Sequence, residues 1–153
     1  MKLRGTIAAL LLTSLAVAQP GYMRATAGEQ FVPQLGDIMN NIQARHIKLS
    51  FAGKSGNWGL AAYQLRQLRA ALVEAAVRYQ GIPVSNVTTM TEPIEAMDAA
   101  IAARDGKRFA KLFSELTAGC NGCHQSMDRG YIVMRVPTEQ PFSDQVFSPP
   151  GKP

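Results

Sequence analysis

The sequence predicts an all-α fold: a four-helix bundle followed by an extended C-terminal tail. Apolar residues recur at helical spacing in four successive stretches. Glycine, proline and capping residues separate those stretches. Beyond residue 130, Pro137, Pro141, Pro149 and Pro150 forbid a further helix. At 153 residues the chain fits one domain with a useful core, and it contains no internal repeat.

The first 18 residues stand apart from that domain. Met1-Lys2-Leu3-Arg4 is a short basic region, and Ile7 to Val17 is an apolar run broken only by Thr13 and Ser14. Ala16-Val17-Ala18 then supplies the small-x-small pattern at which signal peptidase cuts, with a second option at Ala25-Thr26-Ala27. Residues 1–18 are therefore expected to be a signal peptide that directs the chain to the periplasm. An uncleaved N-terminal anchor is the competing reading, but the run is short for a membrane span, so none is expected after signal removal. No cysteine lies near the cleavage region, which excludes a lipid anchor. Residues 19–33 hold two prolines and two glycines with little periodicity, and read as a lead-in segment.

The bundle is expected over residues 34–130. The first helix should run from about Gln34 to Ala52, with Leu35, Ile38, Met39, Ile42, His46 and Leu49 on one face. Gly53-Lys54-Ser55-Gly56 ends it, and Asn57 caps a second helix from Trp58 to about Gln80. That helix carries Ala61, Leu65, Leu68, Leu72, Ala76 and Tyr79 as its stripe, and Gly81 with Pro83 stops it. Val84 to Met90 reads as a loop. Thr91 is the expected cap of the third helix, whose seam is Ile94, Met97 and Ile101; Asp105-Gly106 punctuates its end. The fourth helix aligns Phe109, Leu112, Phe113, Leu116, Cys120, Cys123 and Met127. Residues 131–153 form the proline-rich tail, β-prone at Tyr131 to Met134 and expected to be laid over the bundle.

Cys120-Asn121-Gly122-Cys123-His124 carries the chemistry and uses both cysteines of the chain. Two thiols at this spacing can each add to one vinyl group of a porphyrin, and the histidine after the second is delivered to one face of the iron. Three rivals are weaker. A thioredoxin-like pair needs a βαβ context, which is missing from the sequence. A zinc site needs four ligands, and only two histidines accompany the two thiols. A disulfide across this step within a helix would be strained. The motif therefore predicts covalently bound haem c, with Cys120 and Cys123 as thioethers and His124 as the proximal iron ligand. Its Nε2 would face the metal, with Nδ1–H held by a carbonyl or water. Asn121 and Gly122 read as spacers.

The sixth ligand is open at this level. In an antiparallel pair the end of the fourth helix lies beside the start of the first, which makes Met39 the first candidate; a core-filling methionine is its bland alternative. His46 is the alternative ligand on the same face, about 10 Å further along the axis; it also reads as a core histidine. An open or water-bound site is the third possibility. Met127 and Met134 come from the histidine's own side and reach the opposite iron face less readily. Trp58 reads as core packing. Arg104, Lys107, Arg108 and Lys111 read as a solvated face, because Lys111 is about 20 Å from His124 along the helix. Arg129 and Arg135 could pair with haem propionates.

An exported chain with four helices and Cys120-x-x-Cys123-His124 near the end of the last resembles the cytochrome c′ family, the class II c-type cytochromes. The resemblance covers roughly Gln34 to Met127 and implies thioether roles for Cys120 and Cys123 and a proximal role for His124. It places the distal position around Ile38 to Asn40. Two departures stand out: this chain runs 29 residues past the histidine, and Met39 could bind iron where the family often has a non-ligating hydrophobe.

The functional expectation is a periplasmic monohaem c-type cytochrome that transfers single electrons to other exported redox proteins. The alternative is a five-coordinate haem protein that binds nitric oxide or carbon monoxide. A homodimer, or a subunit of a larger periplasmic oxidoreductase docked through the tail, is a further possibility. No acid–base constellation accompanies the motif, so no enzyme activity is expected. The formal charge of +5 falls to +3 once Lys2 and Arg4 leave with the signal, and propionates would reduce it further. The high isoelectric point therefore carries no nucleic-acid inference.

Overall fold

The computed structural model describes residues 32–151; the expected signal at 1–18 and most of the lead-in segment lie outside the described residues. Four long helices and one short one make up the regular structure there, with no strand among the described residues. They are α1 (Leu35–Lys54), α2 (Trp58–Arg78), α3 (Val84–Thr88), α4 (Thr91–Ala102) and α5 (Gly106–Ser126). None is long and apolar enough to cross a membrane.

α1 packs along α2 and α4 along α5, while α2–α4 and α1–α5 contacts close the ring. The α1–α5 register is antiparallel. Gly53 meets Phe109, His46 meets Thr117, and Met39 shares a cavity wall with Cys120 and Cys123. Ile38, Ile42, Leu49, Leu65, Leu68, Ile94, Met97, Ile101 and Leu116 form the shared core, as their helical spacing requires.

Local chemistry sets the helix ends. Asp37 Oδ2 accepts the Gln34 N–H at 3.0 Å at the start of α1, and Asn57 Oδ1 accepts the Leu60 N–H at 3.1 Å at the start of α2. Three helices stop with the same paired hydrogen bonds around one left-handed residue: Gly56 (φ 71°) after α1, Arg104 (φ 55°) after α4 and Asp128 (φ 55°) after α5. At the first, Asn57 N donates to Ala52 O and Gly56 N to Gly53 O. Glycine reaches this geometry most easily and aspartate tolerates it, so Arg104 is the unusual occupant.

Three expectations change in detail. Residues 84–88 form the single turn α3 rather than a loop, entered from Pro83 at the N-cap position. Thr91 lies inside α4, where Met90 holds the N-cap position without a side-chain cap. The sealed stripe of α2 runs through Ala71 and Ala75 rather than Leu72 and Ala76, which are only partly buried; Leu72 instead faces a cavity.

After α5 the chain reverses and runs back along α1 without regular structure. Lys54 Nζ donates to Pro137 O at 2.8 Å, the Lys48 ammonium lies 4.3 Å from the Phe142 ring centroid, and the buried Phe147 packs on Phe51 with ring centroids 5.9 Å apart. Asn57 Nδ2 donates to Ser148 O at 3.2 Å, pinning residue 148 to the α1–α2 corner.

Candidate functional site

Cys120, Cys123 and His124 occupy the last two turns of α5. Steps of three and four residues put the second thiol and the imidazole beside the first on one helix face. All three line a cavity of about 360 Å³ at the end of the bundle. Its remaining walls are mostly apolar. α1 gives Leu35, Met39 and Ile42, α2 gives Leu72 and Ala75, and Val87 and Met90 come from the α3 region. Ile132 and Met134 close it from the tail, with Met127 and Arg129 at its margin. A volume and polarity of this kind suit a largely apolar ligand gripped by a few polar groups.

Both cysteines are free thiols. Burial, reinforced by the neighbouring Cys123, pushes the Cys120 thiol up to about 11, and burial also raises Cys123. Both are therefore protonated at neutral pH.

His124 Nδ1 lies 2.7 Å from the carbonyl oxygen of Ile132. A carbonyl only accepts, so Nδ1 carries a proton, and in the neutral ring the lone pair is left on Nε2. The chain reversal makes this bond possible. Arg129 N donates to His124 O at 2.7 Å, Asp128 N to Gln125 O at 3.2 Å, and Ile132 N to Arg129 O at 2.8 Å. These three bonds fold residues 128–132 back onto the helix end.

Asn121 does more than space the thiols. Its Nδ2 donates to Met134 O at 2.9 Å, and its Oδ1 accepts the Met134 N–H at 2.7 Å. One side-chain amide thus pairs with both backbone groups of a tail residue, as a neighbouring strand would. A Cβ built at Gly122 would meet nothing within 4 Å.

His46 is not brought to this cavity. It is buried between α1 and α5, its ring 4.5 Å from that of Phe113 and its Nε2 2.9 Å from Thr117 Oγ1. The Thr117 hydroxyl already donates to Phe113 O at 2.8 Å. It must therefore accept from His46, which places the proton on Nε2 and leaves Nδ1 as a buried, unpartnered acceptor. Burial lowers the pKa of His46 to about 4. His46 and Arg135 line a separate cavity between α1 and the tail.

Trp58 packs edge-on against Phe109 at 5.9 Å, in the aromatic core of the α1–α2 end. Met90 was not singled out by the sequence, because it falls between α3 and α4, at the end of a stretch that reads as a loop. It is buried, lines the cavity, and sits where a Cβ on Gly119 would come within 2.7 Å of its sulfur. Among the described residues no three His, Cys, Asp or Glu side chains cluster as a metal site. The site thus brings two thiols and one imidazole to one apolar volume that the Met39 and Met90 thioethers also line. No family model matches this chain, and no curated protein or solved structure is detectably similar to it.

Proposed function

We propose that this chain is an exported monohaem c-type cytochrome that carries single electrons between periplasmic redox proteins, rather than an enzyme. The observation that carries the reading is Cys120-x-x-Cys123-His124 on one face of α5, its thiols and imidazole lining the same apolar cavity as Met39. Each Sγ–H would add across one vinyl group: the sulfur bonds to one vinyl carbon, the hydrogen goes to the other, and no oxidant is consumed. Bound haem supplies an iron that gains and loses one electron.

The chain's own residues supply the rest. His124 offers Nε2 to the metal while Ile132 O holds Nδ1–H, a partner that fixes ring orientation and raises ligand basicity. Met39, which lines the same cavity from α1, is the proposed sixth ligand, and thioether ligation favours the reduced iron and a higher potential. Arg129 at the margin suits a propionate. His46 is the weaker candidate, because its Nε2 proton is committed to Thr117.

A second reading, a five-coordinate binder of nitric oxide or carbon monoxide, draws on the same wall: apart from Met39, the α1 and α2 residues around it are largely apolar and non-ligating. Absorption and resonance Raman spectra separate the two. Low-spin iron with a sulfur-to-iron charge-transfer band supports electron transfer through Met39 ligation, and Met39→Ala should convert it to high spin. High-spin iron in the unaltered protein, shifted by carbon monoxide, would favour the gas binder instead.

A further inference from the structure

Asn121 lies between the two thiols yet makes its hydrogen bonds to the tail, not to the helix. Its amide pairs with both the N–H and the C=O of Met134, at 2.7 and 2.9 Å. Two residues earlier in the tail, the Ile132 carbonyl meets His124 Nδ1 at 2.7 Å. The two anchors sit three positions apart on α5, on adjacent turns of one helix, and they hold tail residues two positions apart. The tail segment is thus tied to the motif at both ends of a short stretch. Besides these two contacts the stretch is held on its helix side by the Ile132 N–H, which donates to Arg129 O at 2.8 Å, whereas Tyr131 and Val133 are exposed and residues 131–134 belong to no helix or strand.

We infer that Asn121 is a positioning residue, whose carboxamide clasps the tail so that the Ile132 carbonyl fixes the tautomer and orientation of His124. Without the clasp the tail has one fewer constraint, and the carbonyl competes with water for Nδ1–H. Free imidazole in water divides its proton between the two nitrogens, so the clasp decides which nitrogen keeps the lone pair. The inference rests on the proposed haem reading only for its consequence at iron. The tautomer itself belongs to the unloaded chain. In the loaded protein the same bond raises imidazole basicity, which favours oxidised iron. Losing it should raise the midpoint potential.

The test uses the full mature chain with and without haem, comparing the unaltered protein with Asn121→Leu, which removes both bonds at similar size, and Asn121→Asp, which keeps an acceptor for the Met134 N–H. In the unloaded chain, nitrogen-15 NMR should show His124 protonated at Nδ1 in the unaltered protein and shifted toward a mixture in Asn121→Leu. Exchange of the Met134 amide should become roughly tenfold faster, the scale of one lost hydrogen bond of ordinary strength. Asn121→Asp should retain most of that protection. In the loaded protein Asn121→Leu should raise the midpoint potential and Asn121→Asp should restore it in part. An unchanged His124 tautomer in a folded Asn121→Leu chain overturns the inference, as does unchanged Met134 exchange. If Asn121→Leu does not fold, loss of the Nδ1 proton signal without loss of fold in Asn121→Ala supports the clasp, and its persistence there overturns it. If the tautomer responds as expected but no haem is ever attached, the clasp stands and the haem reading fails.

Discussion

The two histidines of this chain are held in opposite tautomers, and their neighbours explain why. His124 gives its Nδ1 proton to a carbonyl, whereas His46 gives its Nε2 proton to a threonine hydroxyl already committed as a donor. For His46 the consequence is pH-dependent stability. Its pKa is lowered on folding from 6.5 to about 4, so the folded state binds the proton less readily than the unfolded chain. The stability it contributes is complete above pH 6.5 and is lost as pH falls through about 4. That loss amounts to about 3 kcal/mol at most. Urea unfolding of the unaltered protein and of His46→Gln, whose amide can still donate to Thr117, should diverge across this window; parallel curves would count against a buried neutral His46. The thiols behave in the opposite sense in the unloaded chain. The Cys120 thiol is raised from 9.0 to about 11, so its contribution is present below pH 9 and lost as pH rises toward 11. Alkylation of the folded, unloaded chain at pH 7 should therefore be slower at Cys120 than at a cysteine in the urea-unfolded chain, as mass spectrometry can follow. At this scale the motif was legible because thiol and imidazole spacing is covalent and local. The Asn121 clasp was not, because it depends on a chain reversal at Asp128 that no local pattern announces.

Helix packing is decided by a few close approaches. Gly53 in α1 faces the Phe109 ring of α5, and a Cβ built there would stand 2.2 Å from its edge. Phe109 is itself buried and held by Trp58 and Phe113, so the ring has little room to yield. Gly53→Ala should destabilise the protein by roughly 1–3 kcal/mol, measured by urea unfolding, as overpacking of a tight core does. Gly119→Ala makes the useful contrast. Its Cβ would meet the Met90 sulfur at 2.7 Å, but methionine is flexible and can move into the cavity, so the loss should be smaller. Equal losses at the two glycines would contradict this account of the α1–α5 contact. The four long helices were legible because apolar period and glycine or proline punctuation agree at each boundary. α3 was not, since five residues are too few to display a helical period. The α2 stripe holds at Ala61, Leu65 and Leu68 and departs by one position only at Leu72 and Ala76, for a different reason. Leu72 lines a cavity instead of being sealed in the core, and sequence periodicity cannot tell a residue facing a cavity from one facing a neighbour.

Among the described residues, all the sulfur-bearing side chains except the core Met97 gather at one end of the bundle, and the aromatic packing lies at the other. Met39, Met90, Cys120, Cys123, His124, Met127 and Met134 all line the cavity, while Trp58, Phe109 and Phe113 pack together beyond His46. The tail joins the two ends, closing the cavity with Ile132 and Met134 and reaching the α1–α2 corner at Ser148. Truncation after residue 130 should therefore lower the thermal midpoint and, in the loaded protein, open the site to solvent, visible as faster reaction with added ligands. In the proposed cytochrome both thiols would end in bonds to porphyrin carbon. Intact-mass measurement after production with a competent haem-attachment system, followed by acid–acetone extraction and alkylation under denaturing conditions, tests it directly. The account predicts the mature chain plus one haem, resistant to extraction, with neither cysteine alkylated. A bare chain with Cys120 and Cys123 both alkylated would contradict it.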